Sequence, residues 1–194
     1  MGRSSRAAAE RHHQELVEAA ARLFRERDLG DVSVPDVMGE IGLTRGGFYK
    51  HFDSKDALVA AAVGQAFTEH LARLEGFAGE QGHDPVATRV AFVEFCLSYA
   101  HRDDPGHGCP SALASGIART EVDGAARVAF VDGLRTLMET LAERTGTGDA
   151  NAEAHREQTL CDFAFIVGAL LLARATAGDG LSEEFLSAAR DRLI

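Results

Sequence analysis

The 194-residue chain has no tryptophan and only four prolines, and its three cysteines, Cys96, Cys109 and Cys161, include no C-x-x-C pair. An odd number of scattered cysteines argues against a disulfide framework or a structural zinc site, so reduced thiols are expected. The period-2 alternation of half-buried strands is also missing, whereas helical spacing recurs from end to end. Scarce proline combined with plentiful Ala, Leu and Glu favours helix over strand. No positively charged leader precedes an apolar stretch, so no signal peptide is expected. The longest apolar run, Phe163 to Ala173, is flanked by Asp162 and Arg174 and is too short to span a bilayer. Together these absences predict a soluble, cytoplasmic, all-α protein, long enough to bury a sizeable core in one or two domains.

Charge is uneven. The formal net charge is −10, yet residues 1–55 hold nine Lys/Arg and nine Asp/Glu, so the whole deficit falls on residues 56–194. Between residues 44 and 55 the balance is positive, with Arg45, Lys50 and Lys55 against Asp53, and His51 alongside. A neutral-to-basic head on an acidic body suggests that the head alone faces an anion.

The spacing predicts a first helix over 10–28 with Leu16, Ala20, Leu23 and Phe24 inward and Gly30 as its C-cap, leaving residues 1–9 as a disordered arm. Ser33-Val-Pro-Asp36 reads as a capping box opening a short helix that Gly42 stops. Thr44 then caps a two-turn helix over 45–52 that buries Phe48 and Phe52, and Ser54 caps a long one running to about residue 75. Further helices are predicted over 85–99, 110–118, 124–144, 153–177 and 182–193, with Ser182 as the last N-cap. Nine helices result, divided into a head at 1–53 and a body at 54–194.

Two adjacent glycines, Gly46 and Gly47, interrupt this pattern at the start of the third helix. Each weakens a helix interior by about 1 kcal/mol relative to Ala, but less in a first turn, whose amides lack intrahelical partners. Without side chains there, the backbone can approach a duplex closely. Arg45 could then reach a guanine edge, while Tyr49, Lys50 and His51 offer donors to flanking phosphates, and Lys55 with the amides behind Ser54 forms a second anion site. Two short helices joined through Gly42 match a helix-turn-helix unit, whose second helix enters the major groove. A tight helix–helix contact would use the same glycines.

Residues 33–63, S-V-P-D-V-M-G-E-I-G-L-T-R-G-G-F-Y-K-H-F-D-S-K-D-A-L-V-A-A-A-V, resemble the DNA-binding head of TetR-family transcriptional regulators, with F-Y-x-H-F-x-S-K-x-x-L the most specific part. Many relatives place Thr or Ala where Gly47 stands, so readout here leans on Arg45. The resemblance implies phosphate contacts from Ser33, Thr44, Tyr49, His51 and Lys55, and a head core containing Phe24, Phe48 and Phe52. It also implies a homodimer reading a palindromic double-stranded operator, a repressor released by a small apolar inducer, and no cofactor.

In the body, the helix over 153–177 is apolar around most of its circumference and the one over 182–193 adds a second stripe. As the resemblance implies, two from each chain would build the dimer interface; alternatively both cap a monomeric core. Phe92, Phe95, Tyr99, Phe130, Phe163 and Phe165 supply core or cavity lining, and the candidate ligand-binding set is Phe95, Tyr99, Cys109, Phe130, Leu134, Phe163 and Val167. Tyr99, with its phenol, is the candidate for orienting a ligand. Cys109 precedes Pro110 at a helix start, where the dipole favours a thiolate, so an oxidant or electrophile sensor is an alternative to plain packing. A Cys109–His107 enzyme is a remoter alternative, lacking any oxyanion or cofactor motif. His101, Asp103, Asp104, His107 and Cys109 lack regular ligand spacing, and no metal site is assigned.

Overall fold

The computed structural model describes residues 2–146 and 152–194, except the side chains of residues 2–7 and Arg45. The described residues form nine α-helices and no strand: α1 (Gly2–Glu26), α2 (Val34–Glu40), α3 (Lys55–Glu80), α4 (Pro85–Cys96), α5 (Tyr99–Asp103), α6 (Ala114–Ile117), α7 (Ala125–Thr145), α8 (Ala152–Ala175) and α9 (Gly180–Leu193). Three 3-10 segments join them at Arg45–Lys50, Pro105–His107 and Pro110–Leu113.

In the head, α1 packs Leu16, Ala20, Leu23 and Phe24 against Val37 and Met38 of α2 and against Phe48 and Phe52, all buried. The Ser33 capping box is complete: the hydroxyl accepts from the Asp36 amide, and the Asp36 carboxylate accepts from the Ser33 amide at 2.7 Å. Gly42 ends this unit with φ +67°, a conformation that side-chain-bearing residues rarely adopt. The segment expected as an α-helix over 45–52 is a 3-10 turn instead. Thr44 holds the N-cap position without a side-chain bond, so nothing draws the first amides into α geometry. Phe48 and Phe52 still stack, with ring centroids 5.9 Å apart. Helix α1 starts at Gly2 rather than residue 10, consistent with the helix-favouring run Ala7–Ala9. It ends at Glu26, and Gly30 instead donates its amide to Asp28 at 3.1 Å.

The body is built on α3, which Ser54 caps by accepting from the Ala57 amide. Helix α3 packs most extensively on α7, and α8 on α9. It runs through Gly76 and Gly79 to Glu80, a turn further than the sequence suggests. The helix expected over 85–99 breaks at Leu97, because the Ser98 hydroxyl accepts from the His101 amide and starts α5. The last helix is capped by Asp179, not Ser182, which is fully buried. The Ser182 hydroxyl donates to the Ala173 carbonyl at 2.6 Å and accepts from Arg102 at 3.0 Å, fastening α9 to α8 and α5. Helix α8 is long and apolar enough to cross a membrane by composition alone. Here Phe163, Ile166, Leu170 and Ala173 point into the core, and Arg174 donates to the His101 carbonyl at 2.8 Å.

Candidate nucleic-acid interface and body cavity

The outer edge of the head is a polar rim on an apolar foundation. Phe48 is buried in the core, and Tyr49, its neighbour, is turned out with 69% of its surface exposed. Thr44 and Lys50 are exposed, and the Thr44 hydroxyl is free of any capping duty. A Cβ built at Gly46 would meet no atom within 4 Å, so no packing inside the chain requires glycine there. At Gly47 the same Cβ would only touch the Met38 methyl at 3.4 Å. The tight-packing alternative for these glycines therefore lacks a partner surface at Gly46 and has a slight one at Gly47. The backbone of Arg45 opens this turn; its side chain lies outside those described.

His51 is half-buried, with its ring 6.1 Å from that of His13. Burial, then the neighbouring His13, His12 and Lys50, hold its pKa below the ordinary histidine value, leaving a neutral ring that can still donate one N–H. Two implied phosphate contacts sit differently from expectation. The Ser33 hydroxyl lies 2.5 Å from Asp36, whose pKa is lowered by the Ser33 hydroxyl and amide, so a carboxylate stands beside any approaching phosphate. Lys55 Nζ donates to the Leu29 carbonyl at 2.9 Å, which uses one of its three N–H groups to tie α3 to the end of α1.

The head is joined to the body at a second place that the spacing gave no sign of. Arg25, almost wholly buried, pairs with Glu69 of α3 at 2.7 Å. On the other flank of α1, the Pro105–His107 turn lies so close that a Cβ on Gly106 would sit 2.6 Å from Glu26 Oε1. Arg119 pairs with Asp28 nearby. The long range of these contacts, up to 91 residues in sequence for the Arg119 pair, is why periodicity is silent about them.

A cavity of about 670 Å³ opens between α7 and α8. Phe130, Leu134, Phe163 and Val167 line it, joined by Met138 and Ser111, which sequence reasoning missed. Phe95, Tyr99 and Cys109 do not line it. Phe95 packs on His101 with ring centroids 4.5 Å apart, beneath the Arg73 guanidinium. Tyr99 is half-exposed under Arg102, on the far side of α5.

Cys109 differs from the expectation of a helix-start thiolate. It is buried, and burial pushes its pKa up, against a smaller opposing pull from the Ser111 hydroxyl and backbone. The segment it opens is a four-residue 3-10 turn with little dipole to offer. His107 is turned away to bond Asp104 at 3.0 Å, so no thiol–imidazole pair forms. Among the described residues, no three His, Cys, Asp or Glu side chains converge as metal ligands. Two histidines are buried in the body, His70 and His101, each with its Nε2 lacking a hydrogen-bond partner among the described residues. Burial lowers the pKa of His70 to about 3, with His101, Arg73 and Arg25 adding to the effect. Burial also lowers that of His101 to about 4, helped by Arg174 and Arg73.

An all-α chain with a compact helix-turn-helix head on a larger helical body has the architecture of a two-domain bacterial regulator. Comparisons with known proteins agree. Residues 16–62 match the family described as "Bacterial regulatory proteins, tetR family". The HTH-type transcriptional regulator YvdT of Bacillus subtilis is 26% identical over 92 residues, 47% of each chain. The HTH-type transcriptional repressor KstR2 of Rhodococcus jostii is 44% identical over 45 residues, 23% of this chain and 22% of that one. The chain thus spans about half or less of the length of the curated relatives it matches. A crystal structure of a TetR-family transcriptional regulator from Agrobacterium tumefaciens superposes with a TM-score of 0.77 at 22% identity, covering 95% of this chain and 98% of that one. The resemblance of the head to TetR-family transcriptional regulators is thus supported by the family model over residues 16–62, and the fold of the whole chain is that of the solved TetR-family structure.

Proposed function

We propose that the protein is a dimeric, sequence-specific DNA-binding repressor released from a palindromic operator by a small molecule bound in its body. The observation that carries this reading is the edge at residues 44–51. There, two glycines that the fold itself does not need lie between Thr44, whose hydroxyl is free, and the exposed Tyr49 and Lys50. A glycine edge lets the backbone meet a groove wall, and the flanking donors suit phosphates. Arg45 is assigned the guanine contact, Gly46 and Gly47 the close approach, and Thr44, Tyr49, Lys50 and His51 the phosphate contacts. Ser33 and Lys55 join them once Asp36 and the Leu29 carbonyl are shared.

The dimer reading draws on the outer face of α8 and α9. Phe165, Leu171, Leu172 and Leu181 are each more than 40% exposed there, an unusual apolar surface for a lone chain. A four-helix contact through this face places two heads on successive major grooves, about 34–36 Å apart. Inducer binding favours a conformation whose heads miss that spacing, a shift in population between two states.

The test is selection of bound sequences from random duplex DNA with the purified chain at two salt concentrations. A palindromic consensus with steep salt dependence is expected. Absence of enrichment by a folded, dimeric preparation would remove the DNA-binding assignment.

A further inference from the structure

We infer that the α7–α8 cavity takes an amphiphile with an apolar body and a single anionic end, such as a medium-chain carboxylate. This rests on the reading of the body as ligand-responsive and specifies the chemistry of that ligand. The walls are apolar: Phe130, Leu134 and Met138 from α7, Phe163 and Val167 from α8. The polar groups decide the sign. No acidic side chain lines the cavity among the described residues, whereas two arginines, Arg135 and Arg156, stand at its rim. Arg135 is engaged by Asp132 at 2.8 Å. Arg156 has no ion-pair partner among the described residues, so its guanidinium is free to grip a carboxylate through two parallel hydrogen bonds.

Deeper in, Ser111 is 95% buried, with its hydroxyl beside the Cys109 thiol. A thiol is a weak hydrogen-bond partner, so this hydroxyl keeps capacity for a ligand atom. A cation entering this cavity would find a guanidinium and no counter-ion. A neutral alcohol would leave the guanidinium unused. A carboxylate with an apolar tail satisfies guanidinium and wall together, and the volume of about 670 Å³ suits a molecule of that size.

Gly168 of α8 also lines the cavity, and a Cβ there would meet nothing within 4 Å. A larger residue at that position therefore fills the cavity without straining the helix that carries it.

Calorimetric titration of the purified full chain with octanoate, decanoate, octan-1-ol and octyltrimethylammonium tests the assignment. Octanoate should bind and the ammonium should not. Decanoate should bind about fifteenfold tighter than octanoate, since each of its two added methylenes in an apolar wall contributes roughly fourfold. Arg156→Gln should weaken decanoate by about tenfold or more while leaving octan-1-ol unchanged. Gly168→Leu should remove binding of both without lowering the melting temperature. Equal binding of alcohol and carboxylate, binding of the ammonium, or an unaltered decanoate affinity in Arg156→Gln would each overturn the anionic class. Failure of every probe on the wild-type chain would overturn it as well. The ligand-responsive reading is judged separately, by whether any compound of an unselected library dissociates the operator complex found by selection.

Discussion

The head and the body solve opposite problems with the same helical material. The head gathers Leu16, Phe24, Met38, Phe48 and Phe52 into a tight core and leaves a bare, polar edge at residues 44–51. The body spreads its large side chains along α3, α7 and α8, leaves an open cleft between α7 and α8 and leaves apolar faces uncovered. Charge divides the same way, with the full −10 of the chain beyond residue 55. The difference follows from what each part is proposed to meet. A duplex offers the same phosphate geometry everywhere, so a reader needs a fixed backbone with short, local specification. A small molecule is met by whatever side chains happen to converge from distant segments, so its site has no compact signature.

The sharpest way to break this contrast is to remove the foundation of the head. Phe48→Ala should cost about 3–5 kcal/mol of stability and abolish DNA binding, read by denaturant unfolding and by gel shift. Gly46→Leu should do something different: affinity for the operator should fall on the order of 100-fold because the backbone can no longer approach the groove, while the melting temperature holds or rises. A drop in both would mean that Gly46 serves the fold.

Acid should weaken the body chiefly through its two buried histidines. His70 and His101 are held neutral to about 3 and about 4, whereas an unfolded chain takes up these protons near pH 6.5. Between pH 6.5 and those values the unfolded state binds more protons, so stability falls as pH falls, by about 1.4 kcal/mol per pH unit for each histidine. His70→Leu should flatten that slope by about half, measured as the urea midpoint between pH 7 and pH 5. The smallest expected effect is at the rim: Lys50→Ala should weaken binding to every duplex alike and lower the salt slope by about 1.

Legibility in the sequence tracked the reach of each interaction. The Ser33–Asp36 box and the Ser54 cap both bond within three residues, so their spacing announced them. Gly42 could be read because a single backbone conformation calls for it. Ser182 was misleading because a cap and a buried tie use the same hydroxyl, and only the distant Ala173 and Arg102 decide between them. Phe130, Phe95 and Tyr99 were indistinguishable as aromatic residues on helices. After the break at Leu97, His101 packs on the partly buried Phe95 and Tyr99 is turned outward, while α7 aims Phe130 at the cavity. The 3-10 form of residues 45–50 depends on a missing bond at Thr44, which no residue type declares in advance.

The paired attachments of α1, Arg25 on Glu69 along one flank and the Pro105–His107 turn against Glu26 on the other, turn the head into a part on two bearings. A body seated on a single support can tilt in any direction. One held at two points keeps only rotation about the line that joins them. Movement of α3 alone is therefore resisted by the 105–107 turn, and movement of that turn alone by the buried Arg25 pair. A change in the body would reach the edge at residues 44–51 as a swing along one arc.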